Sequence, residues 1–171
     1  MTAQYRSAET TDREIHHEGS LRIGGLLMAL AGVAFVGYGV AFLARNFFGT
    51  GFELGVDTIG GFTRAELAAQ SPEIMHYISH LHVAVAAFIV ATGFAVAALA
   101  WYGVRGGMLW AWATAVVASV VALGLALPLH YTGGFAHDAA VHLGPVYLAT
   151  GVFLIGTVLA LYSLLPTARG A

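Results

Sequence analysis

Four apolar stretches, each long enough to cross a bilayer and almost free of Asp, Glu, Lys and Arg, dominate this chain of 171 residues. They run from Ile23 to Ala44, from Ile74 to Val104, from Gly106 to His137 and from Ala139 to Ala168. A hydrocarbon core of ~30 Å takes about 20 such residues in a helix. Lipid offers the backbone no hydrogen-bonding partner, so each crossing must satisfy its own N–H and C=O groups as a helix. Turn residues trim the spans to about 22–44, 83–104, 108–130 and 143–165. Only 9% of the residues are charged, against about 25% in an average soluble domain, which excludes an ordinary soluble enzyme. The expected fold is an all-α integral membrane protein, a bundle of four transmembrane helices.

The expected organisation is a polar tail over 1–20, a four-helix domain over 21–166 and a short tail over 167–171, with a long loop at 46–71. Acidic residues crowd the region before the first span, a pattern unlike a secretory signal. Cysteine is absent, which removes disulfides, thiolate metal sites and cysteine nucleophiles together. The net charge of −2 offers no basic stripe for nucleic acid. Arg6, Arg13, Arg22, Arg105 and Arg169 share one side of an even-numbered bundle, and Arg45 and Arg64 lie on the other. Positive charge favours the cytoplasmic side, so both termini are expected in the cytoplasm, with the chain in a prokaryotic cytoplasmic membrane.

The loop carries two helix starts. Thr63-Arg64-Ala65-Glu66 reads as a capping box opening a short helix. Ser71-Pro72-Glu73 reads as the start of the second long helix, with proline at its first position. The stretch Phe47 to Gly61 is expected along the outer interface.

Six of the eight histidines flank the outer ends of helices: His76, His80, His82, His130, His137 and His142. His76 and His80 share a face with Ala84, Ala87, Ala91, Ala95 and Ala98, and rows of small residues mark close approach between membrane helices. That face is expected to point inward, and His82, roughly opposite, to face lipid headgroups or the long loop instead. His130 continues the row Ala111, Ala115, Ala118, Ala122 and Ala126, with Pro128 predicting a kink just below it. Counting about 20 residues outward from the cytoplasmic ends brings His80, His130 and His142 to nearly one level. Histidine tolerates any membrane interface, but a simple interfacial role predicts it at both ends, and the ends at 104–108 and 165–168 have none.

Imidazoles gathered at one depth suit copper, zinc or iron. The candidate metal ligands are His76, His80, His130, His137, His142 and Asp138. Haem b is the rival cofactor, with axial ligands drawn from His80, His130 and His142. No HExxH glutamate accompanies His76 and His80, so a metalloprotease is not indicated. No charged residue sits in mid-membrane, which argues against a pump or coupled transporter.

The expected function is a redox or metal-handling subunit of a membrane complex, with an outward-facing histidine cluster. In architecture the chain resembles the small four-helix subunits of respiratory and oxidase assemblies, a likeness that does not establish function. The alternative is a structural accessory subunit with no cofactor, since Gly25, Gly32 and Gly39 stand at heptad spacing and offer a close-contact face. The expected partners are the lipid bilayer and other membrane subunits or further copies of the chain.

Overall fold

The computed structural model describes residues 2–132 and 138–165. Its elements are α1 (Thr2–Phe48), β1 (Thr58–Ile59), β2 (Phe62–Thr63), α2 (Arg64–Gln70), α3 (Pro72–Ala98), a π-helical turn (Leu99–Val104), α4 (Leu109–Thr132) and α5 (Ala139–Leu164). Four helices are long and apolar enough to span a membrane, over His17–Phe48, Pro72–Val104, Leu109–Thr132 and Ala140–Leu164. The mostly helical membrane bundle read from hydropathy is therefore present.

The first helix begins well before its apolar segment. Residues expected as a polar tail continue the helix from Thr2, and Glu18 and Arg22 pair across one turn at 3.8 Å. Both side chains are well exposed, so that pair adds little. The 167–171 tail lies outside the described residues.

Helix α1 is the central element, packed along its length between α3 and α5. Glycine makes this possible, because backbone meets backbone. A Cβ at Gly32 would lie 2.7 Å from Ala97 N and 2.8 Å from the Gly93 carbonyl oxygen of α3. On the other side, a Cβ at Gly156 of α5 would lie 2.7 Å from the Gly24 carbonyl oxygen. The row Gly25, Gly32 and Gly39 faces the α3–π-turn segment: their added methyls would strike Arg105, Gly93 and Val90 respectively, among other atoms. A face expected to receive another subunit is filled within the chain.

The inward face of α3 also differs from expectation. Its buried residues are Met75, His82, Ala86, Gly93 and Val96, whereas Ala87, Ala91, Ala95 and Ala98 are exposed. Facing lipid costs an alanine methyl nothing. Close fit decides the face, and Gly93 lets α1 approach where alanine would not.

Helix α4 stands apart. At one end it is held by the π turn, where Arg105 N donates to the Ala100 carbonyl at 3.2 Å and Gly107 takes φ +79°. Gly103 is required there, since a Cβ would fall 2.3 Å from that of Ala111. The Trp112 indole N–H donates to the Thr157 carbonyl of α5 at 3.1 Å. Beyond this end α4 meets α3 and α5 only sparsely, and it runs helical through Pro128. At the loop end the Tyr131 and Tyr147 hydroxyls hydrogen-bond.

The long loop is folded, not draped. Phe52, Val56 and Met75 form a small core with Leu67 and Ile78. A two-residue hairpin joins Thr58 to Thr63 through Gly60 and Gly61, both at positive φ, as such tight turns require. Arg64 donates to the Asn46 carbonyl at 2.7 Å, and Asn46 donates to the Ser79 hydroxyl at 2.8 Å. Arg45 pairs with Asp57 at 3.0 Å. The Thr63–Glu66 capping box is present in both directions, and α3 starts at Pro72 as its sequence indicates.

Two outcomes follow from this packing. Gly32→Ala should destabilise the protein by about 1–3 kcal/mol through overpacking. Gly37→Ala on the same helix has nothing within 4 Å of its new methyl and should leave stability unchanged or slightly raised. Unfolding midpoints in a detergent titration check the contrast, and equal effects would refute backbone contact at Gly32.

The capping box gives a pH-dependent outcome. Hydrogen bonds from the Thr63 backbone and hydroxyl hold the Glu66 carboxyl below its ordinary value. A depressed carboxyl stabilises the fold above its unfolded pKa, about 4.3, and that contribution is lost as pH falls through the lower folded value. Amides of residues 64–70 should therefore exchange faster with solvent deuterium in that acidic window, after correction for intrinsic rates. Glu66→Gln, which still completes a capping box, should flatten the dependence.

Candidate functional site

The site lies at the loop end of the bundle, where one residue from each of three helices meets one from the loop. The loop contribution is Glu53. Its turn is closed by Val56 N donating to the Glu53 carbonyl at 3.1 Å and by Phe52 N donating to the Val56 carbonyl at 2.9 Å. Gly55 takes φ +72°, and its carbonyl accepts from Asp138 N at 3.0 Å, which fastens the turn to the start of α5. Phe52 and Val56 sink into the small core on either side, so the Glu53 carboxylate is carried into the bundle.

His82 arrives from the inward face of α3, buried and edge-on to Phe42 with ring centroids 5.2 Å apart. Its Nε2 lies 3.5 Å from Glu53 Oε1, and its Nδ1 has no hydrogen-bond partner among the described residues. His142 arrives from the first turn of α5, 2% exposed. Its Nδ1 lies 2.7 Å from the Leu54 carbonyl oxygen, and its Nε2 lies 3.7 Å from Glu53 Oε2. His130 arrives from the last turns of α4, with Nδ1 2.9 Å from the Ala126 carbonyl oxygen. The two Nε2 atoms of His130 and His142 are 3.0 Å apart.

A carbonyl oxygen only accepts, so Nδ1 of His130 and of His142 is the donor in each carbonyl contact. The two Nε2 atoms face each other at 3.0 Å, with the Glu53 carboxylate beside that of His142.

Of the sequence-predicted residues, His130 and His142 come together. His76 and His80 are exposed on the opposite side of α3, and the imidazole that α3 brings to this level is His82. The inward orientation expected of His76 and His80 is overturned because the glycine-bearing face of α3, not the alanine row, packs on α1, while His82 is buried and meets the long loop at Glu53, one of the two surroundings expected for it. Asp138 acts as the N-cap of α5, its Oδ1 accepting from Ala140 N at 2.9 Å and Val141 N at 3.2 Å, and it is exposed. His137 lies outside the described residues. Among the described residues no three His, Asp or Glu side chains already form a group drawn closely enough to hold a metal ion. Glu53 was missed by sequence reasoning, although an acid between Phe52 and Leu54 in an apolar loop is the signal that marks it.

No family model, no curated protein and no solved structure matches the chain.

Proposed function

We propose that this protein binds a divalent transition-metal ion at the loop end of its bundle, through His82, His130, His142 and Glu53, in a redox or metal-handling role within the membrane. The observation that carries the reading is the convergence of the His130 and His142 Nε2 atoms, 3.0 Å apart, near the Glu53 carboxylate, each ring held through Nδ1 on a backbone carbonyl. Metal-ligating histidines characteristically donate their second N–H to such a group, which sets the tautomer and orients the ring. Three imidazoles and a carboxylate suit zinc, copper or iron.

Distances favour a bare ion over haem. Two nitrogens bound at ~2.0–2.1 Å to one tetrahedral ion stand about 3.3 Å apart, whereas axial ligands at similar bond lengths on opposite faces of a haem stand about 4 Å apart. The observed 3.0 Å is nearer the first. Glu53 and His82, now at ion-pair separations, would close on the ion. The Gly25, Gly32 and Gly39 row, part of the motive for the accessory-subunit alternative, packs within the chain.

Protein purified in mild detergent without chelators should contain about one transition-metal ion per chain. Glu53→Ala, His82→Ala, His130→Ala and His142→Ala should each lower occupancy about tenfold or more, while His76→Ala and His80→Ala leave it unchanged. Occupancy should also fall on acidification, because protons compete for the same nitrogens. A chain that neither carries an ion nor binds added zinc, copper or cobalt overturns the reading. A Soret band lost in His130→Ala would assign haem in its place.

The orientation of the site is part of the same reading, with both termini cytoplasmic and the cluster facing outward. Thr58→Cys, exposed in the loop hairpin, should react with an impermeant thiol reagent in intact cells, and Ser7→Cys should not. The native chain contributes no cysteine background. The opposite labelling pattern would put the cluster on the cytoplasmic side.

A further inference from the structure

On the side of α3 turned away from the quartet, two histidines stand about one helical turn apart. His76 and His80 are both exposed, and among the described residues neither ring makes a hydrogen bond or an ion pair. The 33 residues of Pro72–Val104 reach about 50 Å at ~1.5 Å per residue, about 20 Å more than the hydrocarbon core. The first turns of α3 therefore stand in the headgroups or in water, where a dissolved ion has access. The opposite face of the same turns is fixed: Met75 belongs to the small loop core, Ser79 accepts from Asn46, and His82 meets Glu53. The backbone under His76 and His80 is thus held in place while the two rings are free to turn.

Residues four apart on a helix have Cβ atoms about 5–6 Å apart, and two histidines at that spacing on one face can grip a single zinc ion. Each nitrogen must come within about 2.0–2.1 Å of the ion, which rotation of two unpartnered side chains allows. Among the described residues no third His, Asp or Glu is drawn close enough to complete a cage, so water fills the remaining positions. Glu73, exposed three residues before His76, lies within about 60° of both rings around the helix axis. The positive N-terminal end of α3 disfavours a cation, and the Glu73 carboxylate in its first turn offsets that charge.

We propose that His76 and His80 form a second metal site, a two-imidazole chelate for a divalent transition ion of the zinc or copper kind, open to water at the loop end of α3. It shares no ligand with the quartet and faces the other way, so it stands whether or not the quartet holds an ion. With two protein ligands against four it is the weaker site and exchanges with free ion. Ion-free buffer empties it, and the ion retained through purification belongs to the quartet alone.

The test uses the full chain in detergent, free of any polyhistidine tag, stripped with EDTA and returned to EDTA-free buffer. Zinc is titrated by calorimetry into the wild type, into His130→Ala, where the pair is read without an intact quartet, and into a chain that exchanges two neighbours, His80→Leu with Leu81→His. Leu81 is exposed as well. The exchange keeps every histidine but turns one ring about 100° around the helix, away from His76. The wild type and His130→Ala should show the same exchangeable site. The exchanged chain should bind there about a hundredfold more weakly, the loss expected when two joined donors become independent. His76→Gln should do the same, and it serves alone if the exchanged chain lacks a folded melting profile. Absence of the exchangeable site from the wild type, its loss in His130→Ala, or a weakening of less than about tenfold in His76→Gln or in the folded exchanged chain would overturn the proposal.

Discussion

Backbone contact along α1 is the constraint on which the rest of the molecule depends. Between helices in lipid there is no hydrophobic driving force, so association rests on close packing and hydrogen bonds. Gly24 against Gly156 and Gly32 against Gly93 bring three helices within reach of each other's main chains. This leaves the fourth helix without a comparable seam. Helix α4 is held at the turn end by Gly103 and by the Trp112 indole on the Thr157 carbonyl, and at the loop end by Tyr131 and Tyr147. A helix fixed at its ends and loose between them encloses space. The cavity of about 410 Å³ beneath the histidines, between α1, α3, α4 and α5, follows from where glycine is and where it is not.

The polar cluster exists because the loop turns inward. A carboxylate withdrawn from water is expensive unless paired, and Glu53 has two imidazoles within 3.7 Å. Of those imidazoles, His142 is oriented by the Leu54 carbonyl, and His82 lies edge-on to the Phe42 ring. In a low-dielectric setting each of these contacts is stronger than it would be in water, and each unpaired group more costly.

Much of this was legible from the chain. Hydropathy located four spans, and the capping box and Ser71-Pro72-Glu73 located two helix starts, because those signals are local. Of the row ending in His130, Ala111 and Ala115 are fully buried, whereas Ala126 is exposed. The second long helix misled. Its alanine row looked like a packing face, but alanine is equally at home against lipid, and one glycine at position 93 decided the rotation. A rotation error on one helix exchanged His82 for His80. The π turn had no local signature, since it arises from Gly103 meeting Ala111. Glu53 was hidden for a different reason: its position depends on a fold of the loop that Phe52, Val56 and Met75 specify only together.

His142 ties these levels to one another. Its Nδ1–H holds the Leu54 carbonyl, next to Glu53 in sequence, while its Nε2 faces both Glu53 and His130. The same imidazole therefore anchors the loop that delivers the carboxylate and takes part in the cluster the carboxylate balances. A few residues earlier, Asp138 caps α5 with its side chain and binds the Gly55 carbonyl with its backbone N–H. The start of α5 and the Glu53 turn are in consequence a single mechanical unit. Anything that moves the His142 ring acts on that unit directly, and the loop is tied through Arg45, Asn46 and Arg64 to the loop end of α1. Only the carboxylate is carried by the loop, and its turn is fastened to the start of α5 by Asp138 N on the Gly55 carbonyl.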